Sequence, residues 1–191
     1  MISWINVVVL IVTTMLVLYF EVKSAVPVAL EKKIGAIAHT RCTRYRVLAS
    51  LLMTLAGINY VIYALYPLPL PLPQTFPWSW WVSAAIATVF AILAGYLWWR
   101  EMDEAGEENV ATNQTYRVYE DIYEKNQHPQ LASELPFWWV IAFLLHSPFL
   151  ALFSLIWVPI FELASWLEQQ DLLIRDEGHS NHQNSLMPKE V

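Results

Sequence analysis

Three long uncharged stretches dominate the pattern of hydrophobic and polar positions along this chain. They cover residues 1–20, 47–99 and 135–161. Each matches or exceeds the roughly 20 residues with which an α-helix crosses about 30 Å of hydrocarbon. The first stretch is too long for a signal-peptide core and lacks a basic start, so it predicts a retained helix. The pattern therefore predicts an all-α integral membrane protein.

The second stretch is long enough for two helices, and alternate prolines in residues 67–73 divide it. Proline cannot donate a helical hydrogen bond and favours an extended conformation. We expect one helix at about 48–66 and another at about 78–99. The aromatic residues beside the break predict a belt at one membrane interface; they are Tyr63, Tyr66, Trp78, Trp80 and Trp81.

Basic residues indicate the orientation of the chain. Six of the 11 Lys and Arg residues lie between Lys23 and Arg46, and such a loop is expected in the cytoplasm. The N-terminus is then outside. The helix that ends near Arg100 runs inward, so the polar segment 101–134, which contains His128-Pro129, is also cytoplasmic.

The third stretch, 135–161, is compatible with one kinked, tilted helix or with a helical hairpin that turns at His146-Ser147-Pro148. We favour the hairpin because proline after a small polar residue marks a turn. This predicts five transmembrane helices, the last two forming the hairpin, in a single domain over residues 1–177. Their approximate ranges are 3–20, 48–66, 78–99, 131–145 and 149–167. Residues 178–191 are expected to form a flexible cytoplasmic tail, and the cell membrane is the expected location.

Composition removes several classes of function. The chain is 57% hydrophobic, and its net charge of −6 resides mostly in loops and tail, which does not favour nucleic-acid binding. Cys42 is the single cysteine, and the histidines show no convincing metal-ligand spacing. With five glycines and no glycine-rich loop, a Rossmann-type nucleotide site is excluded. A membrane-embedded site remains, in which a cytosolic cofactor would meet a lipophilic substrate.

The segment from Trp98 to about His182 resembles the membrane methyltransferases typified by isoprenylcysteine carboxyl methyltransferase, whose relatives include phospholipid N-methyltransferases. That family has a Gly-containing loop, a Gly-x-Tyr-x-x-x-Arg-His-Pro-x-Tyr core and a helical hairpin. An Arg-x-x-x-Glu-Glu-x-x-Leu segment and a Phe-Gly-x-x-Tyr segment follow. The corresponding residues here are Gly106, Tyr123, Gln127-His128-Pro129-Gln130-Leu131, Gln169-Gln170-Asp171-Leu172-Leu173 and Gly178.

The resemblance implies transfer of a methyl group from S-adenosylmethionine to a lipophilic, prenylated or lipid acceptor in the membrane. Gln169 and Gln170 would take the catalytic positions of the Glu pair, and Glu162 is a further catalytic candidate because of its place in an apolar helix. The cofactor would be contacted by Tyr123, Gln127, His128, Pro129, Leu131, Asp171 and Gly178. No metal is implied, and the oligomeric state is open.

The chain departs from the family pattern at functional positions. Gln127 replaces an Arg, Leu131 a Tyr, Ser165 an Arg, Gln169 and Gln170 a Glu pair, and Asn181 a Tyr. These departures favour an alternative, a catalytically inactive relative that acts as a membrane scaffold or complex subunit. A nicotinamide-dependent membrane reductase ranks last, since only Lys125 and Arg117 could hold the phosphates of a dinucleotide.

Glu162 is unusual because it lies in an otherwise apolar helix, where a carboxylate is costly and often functional. Three interpretations stay open from the sequence. Glu162 faces a substrate channel, pairs with Arg100 or Arg117, or lies close enough to the cytosolic surface to remain hydrated.

Overall fold

The computed structural model describes residues 1–69, 71–105 and 129–186, and every element in these ranges is helical. The elements are α1 (Ile2–Ser24), α2 (Pro27–Ile34), α3 (Ile37–Leu65), α4 (Trp80–Ala105), α5 (Pro129–Leu144), α6 (Pro148–Phe153), a 3₁₀ turn (Ser154–Ile156) and α7 (Trp157–Leu186).

Four helical segments of the described chain are long and apolar enough to cross a membrane. They are Ile2–Ser24, Ile37–Leu65, Trp80–Trp99 and Pro148–Asp171. The apolar part of α5, Glu134–Leu144, is shorter. The described part of the chain is therefore that of an all-helical membrane protein with four candidate spans, and a fifth crossing by α5 stays a prediction.

Two helices extend well beyond their apolar parts. α3 begins at Ile37 rather than near residue 48, and its first turns carry Arg41, Arg44 and Arg46. α7 remains helical to Leu186, through much of the segment predicted to be a flexible tail. Hydropathy marks where a helix contacts hydrocarbon, but adding residues to an existing helix needs no new nucleation, so polar turns can follow at low cost.

The turn expected at His146-Ser147-Pro148 is present. α5 ends at Leu144, His146 adopts a left-handed φ of 53°, and Pro148 is the first residue of α6. The Ser147 hydroxyl caps α6 by accepting a hydrogen bond from the Leu150 N–H at 3.4 Å. After this turn α7 packs against α5, while a hairpin of two membrane-crossing arms stays a prediction.

The helices pack as two pairs, and α7 connects the two pairs. α1 lies along α3, α4 lies along α5, and α7 contacts α1, α2 and α5. Asn6 of α1 donates from its amide Nδ2 to the backbone oxygen of Asn59 in α3 at 3.1 Å. Interhelical hydrogen bonds of this kind are favourable in membranes, where the hydrophobic effect between helices is weak.

A buried aromatic cluster joins α3, α5 and α7. Trp138 and Trp157 stack with ring centroids 3.9 Å apart and an interplanar angle of 8°. The Trp157 Nε1–H donates to the Tyr60 hydroxyl at 3.1 Å, and that hydroxyl lies 3.2 Å from Ser154 Oγ. The 3₁₀ turn that begins at Ser154 thus sits in the centre of the core.

The connectivity gives the bundle two different ends. α1, α4 and α7 end, and α3 and α5 begin, at what we call the polar end. At the opposite, aromatic end, His146 Nδ1 lies 2.7 Å from Ser83 Oγ, and Trp80 Nε1–H donates to the Leu144 carbonyl at 2.9 Å.

Most of the predicted aromatic belt is exposed at that end. Trp81 is 76% exposed, and Tyr66, Trp78 and Trp80 are also exposed. Tyr63 departs from the prediction, because it is only 4% exposed and stacks on Phe149 at 4.4 Å. It belongs to the core because α6 packs across that face of α3.

Candidate functional site

A cavity of about 770 Å³ lies between α3, α4 and α5. It falls within the roughly 300–1,000 Å³ typical of small-molecule sites. Its lining residues are Met53, Thr54, Gly57, Ile58, Val61, Ala94, Gly95, Trp98, Glu134, Phe137, Trp138 and Ile141. Because the lining is mostly apolar, the cavity suits a hydrocarbon chain.

Two glycines keep the facing walls of the cavity open. Gly57 lies on α3 and Gly95 on α4, and a Cβ added at either position would meet no atom within 4 Å. Trp138 closes the inner side, since its ring stacks on Trp157 in the core. The cavity is thus bounded by an aromatic wall and by two helix faces, each of which has one position without a side chain, Gly57 on α3 and Gly95 on α4.

Glu134 is the one charged residue among the described residues that line the cavity. It lies five residues into α5, about 7.5 Å along the helix axis from Pro129 at a rise of 1.5 Å per residue. The polar end of the cavity therefore adjoins the start of α5, directly after His128. Sequence reasoning assigned Glu134 no role, although a carboxylate on the second turn of an apolar helix was a usable signal.

A separate cluster at the polar end fixes α2 against α7. Asp171 is 4% exposed, and its two carboxylate oxygens accept from the backbone N–H groups of Val28 and Ala29, both at 2.8 Å. A carboxylate at a helix N-terminus satisfies orphan N–H groups and complements the helix dipole. Asp171, expected to contact a cofactor, thus has a structural contact in the described chain.

Charged side chains from three helices meet beside Asp171. Arg46 Nη2 lies 3.4 Å from Glu168 Oε1, and the buried Glu21 of α1 is within electrostatic range of both. The buried Cys42 thiol donates to the Lys23 carbonyl at 3.5 Å. This cluster ties the polar ends of α1, α3 and α7 together.

The predicted catalytic residues do not meet at the cavity. Glu162 and Gln170 lie on exposed parts of α7, and Gln169 is half-buried. None of the three lines the cavity. Glu162 does not line the described cavity, and its predicted pairing with Arg100 or Arg117 lies outside the side chains that the structure describes.

Three of the seven predicted cofactor contacts lie beyond the described chain. Tyr123, Gln127 and His128 lie outside the described residues. Pro129 begins α5, and the backbone at Leu131 and Gly178 is helical; the Leu131 side chain is outside what the structure describes. Among the described residues, no group of His, Cys, Asp and Glu is placed to hold a metal ion.

The chain matches no protein-family model, no curated protein and no solved structure. Its function is therefore inferred from the cavity, the polar end and the sequence pattern.

Proposed function

We propose that the protein is a membrane-embedded methyltransferase that uses S-adenosylmethionine and acts on a lipophilic acceptor held between α3, α4 and α5. The observation that carries this proposal is the position of the cavity. It is apolar over most of its lining, and its one charged lining residue in the described chain, Glu134, lies just after the His128-Pro129 segment.

The division of the cavity suits an amphiphilic acceptor. An apolar chain would lie along Gly57, Gly95 and Trp138, and its reactive head would lie near Glu134. An apolar chain that enters the cavity from the bilayer leaves lipid, and it was not in contact with water before. Its affinity therefore depends on packing and on the polar head. The open glycine walls supply the space for that packing.

The charge of the cavity lining supports this choice of cofactor. S-adenosylmethionine supplies an activated methyl group on a positively charged sulfur, and Glu134 offers a complementary charge at the polar end of the cavity. Methyl transfer depends mainly on alignment of the acceptor with that carbon. The chain's part would be to orient the acceptor and exclude water, with Tyr123, Gln127 and His128 holding the cofactor from the preceding segment.

A second candidate function, a non-catalytic relative that acts as a membrane scaffold or complex subunit, is favoured by the positions of Glu162, Gln170 and Asp171. The first two are exposed, and Asp171 holds α2. A protein that has lost the reaction would retain a folded bundle and its cavity without cofactor affinity.

The first test is calorimetric titration of the full chain in lipid nanodiscs with S-adenosylmethionine, beside the His128→Ala variant. The proposal expects saturable binding that His128→Ala weakens at least about tenfold, the loss of one good polar contact. No binding at millimolar cofactor would reject the enzyme and favour the non-catalytic relative.

The second test separates acceptor from cofactor. Gly95→Leu places a side chain in the cavity, whereas Ala85→Leu adds the same group at an exposed position of α4 away from it. With methyl-labelled cofactor and a total lipid extract, we expect Gly95→Leu to bind cofactor but lose labelling of the organic-soluble fraction. Ala85→Leu should label as the unmodified protein does. Equal labelling by both variants would remove the cavity from the proposal.

A further inference from the structure

Basic residues of this acidic protein are concentrated in one short segment. Residues 23–46 contain six basic residues and one acidic residue, a net charge of +5, while the whole chain carries −6. Five of the six, all but Arg46, have exposed side chains; they are Lys23, Lys32, Lys33, Arg41 and Arg44. We call these five residues the basic surface.

The acidic groups nearby are occupied elsewhere. Glu31, the one acidic residue of the segment, lies 3.0 Å from His39 Nε2, and Glu168 meets Arg46. Among the described residues, no carboxylate forms an ion pair with any member of the basic surface. Within the part of the chain that the structure describes, its charge is therefore not neutralised by an ion pair.

The basic surface lies where two candidate membrane spans meet α2. Lys23 ends α1 and the arginines begin α3, and both helices are candidate membrane spans. Between them α2 is fixed by Asp171 at its first turn, and Gly35, with a φ of 70°, turns the chain into α3. Lys32 and Lys33 thus project from an anchored helix and not from a free loop.

Apolar side chains accompany these cations. Ile37, directly after the turn at Gly35, is 64% exposed, and the apolar residues of α2 are half-buried. A surface that combines cations with exposed aliphatic groups beside a membrane span matches the boundary between headgroups and acyl chains.

We propose that the basic surface is a binding site for anionic phospholipid headgroups of the leaflet in which α1 ends and α3 begins. Clusters of four to eight Lys and Arg residues next to a span or on an amphipathic helix attract anionic lipids. Each Lys or Arg side chain adds to the attraction. The lipid phosphates would supply the negative charge that the described residues do not. This inference is independent of the reaction proposed above.

The test measures lipid selectivity by electron spin resonance in a phosphatidylcholine bilayer. Spin-labelled phosphatidylglycerol and spin-labelled phosphatidylcholine are compared as probes of the lipid in contact with the protein. The proposal expects a relative association constant above one for phosphatidylglycerol, falling towards one at about 1 M salt, where the screening length is roughly 3 Å.

Variants locate the selectivity. Lys32→Gln with Lys33→Gln leaves three members of the basic surface in place to maintain the insertion direction, and Lys32→Arg with Lys33→Arg keeps the charge. We expect the variant with both lysines changed to Gln to lower the relative association constant at least about twofold. A headgroup held in one place would lose roughly fivefold for each cation removed. The expected effect is smaller because the surrounding lipids exchange. The arginine pair should match the unmodified protein.

Two results would overturn the proposal. One is equal association of both lipid probes with the unmodified protein at low salt. The other is a selectivity that the variant with both lysines changed to Gln retains in full, which would place the anionic-lipid contact elsewhere on the molecule.

Discussion

At the scale of single residues, the core depends on a few polar atoms buried among aromatic rings. Ser154 Oγ donates to the Leu150 carbonyl at 2.8 Å. Its single proton is then used, so the Tyr60 hydroxyl donates to Ser154 Oγ while accepting from Trp157. Every donor in this chain of hydrogen bonds has an acceptor, which is what makes burial of these groups acceptable.

The first prediction concerns Tyr60→Phe. The substitution keeps the ring but leaves the Trp157 indole N–H without its acceptor in an apolar core. We expect a loss of about 1–3 kcal/mol in the free energy of unfolding, measured by thermal unfolding in nanodiscs. Tyr19→Phe is the matched control, because Tyr19 is 53% exposed and should change stability by no more than about 0.5 kcal/mol. Equal effects in both variants would contradict the assigned hydrogen bonds.

At the scale of helices, α2 shows how a short polar element can be stabilised by a distant one. Its eight residues are too few to form a stable helix in isolation. Pro27 presets the first turn, while Asp171, more than 140 residues later in the sequence, accepts its first N–H groups. The sequence therefore gave no indication of α2, because the group that stabilises it belongs to α7.

The second prediction is that Asp171→Asn loosens α2. Asparagine keeps one acceptor oxygen but carries no charge. Its amide NH₂ then faces a backbone N–H of α2, so two donors meet and that backbone N–H loses its acceptor. We expect hydrogen exchange of the α2 amides to accelerate about tenfold, the factor for a local loss of about 1.4 kcal/mol, as measured by mass spectrometry.

Glu168→Gln serves as the control for that experiment. The substitution removes a charge three residues before Asp171 on α7. Glu168 contacts Arg46 of α3 and not α2. Exchange in α2 should therefore remain as in the unmodified protein. If both variants accelerate exchange equally, general weakening of the polar end would explain the result better than loss of the cap.

At the scale of the whole molecule, α5 connects the two ends of the bundle although its apolar part is short. It starts at the polar end and finishes at the His146 turn, where Trp80 contacts Leu144. Its 16 residues span about 24 Å at 1.5 Å per residue. A crossing by α5 would give five crossings and place the two termini on opposite sides of the membrane.

The third prediction tests this arrangement. Ile2→Cys and Lys189→Cys are introduced separately and labelled with a membrane-impermeant maleimide in sealed vesicles of one orientation. We expect one site to react from outside and the other only after the vesicles are opened. The native Cys42 is fully buried and adds little background. Reaction of both sites from the same side would indicate four crossings.

The sequence by itself determined the membrane class, the three helices that uninterrupted hydrophobic runs encode and the turn at His146-Ser147-Pro148. These features depend on local composition, on proline and on contact with hydrocarbon, all of which can be read along the chain. Only the tertiary structure decided the burial of Tyr63, the contact of Asp171 with α2 and the cavity beside Glu134. Each of these arises where helices distant in sequence meet, and the partner that fixes a side chain there is not its neighbour along the chain.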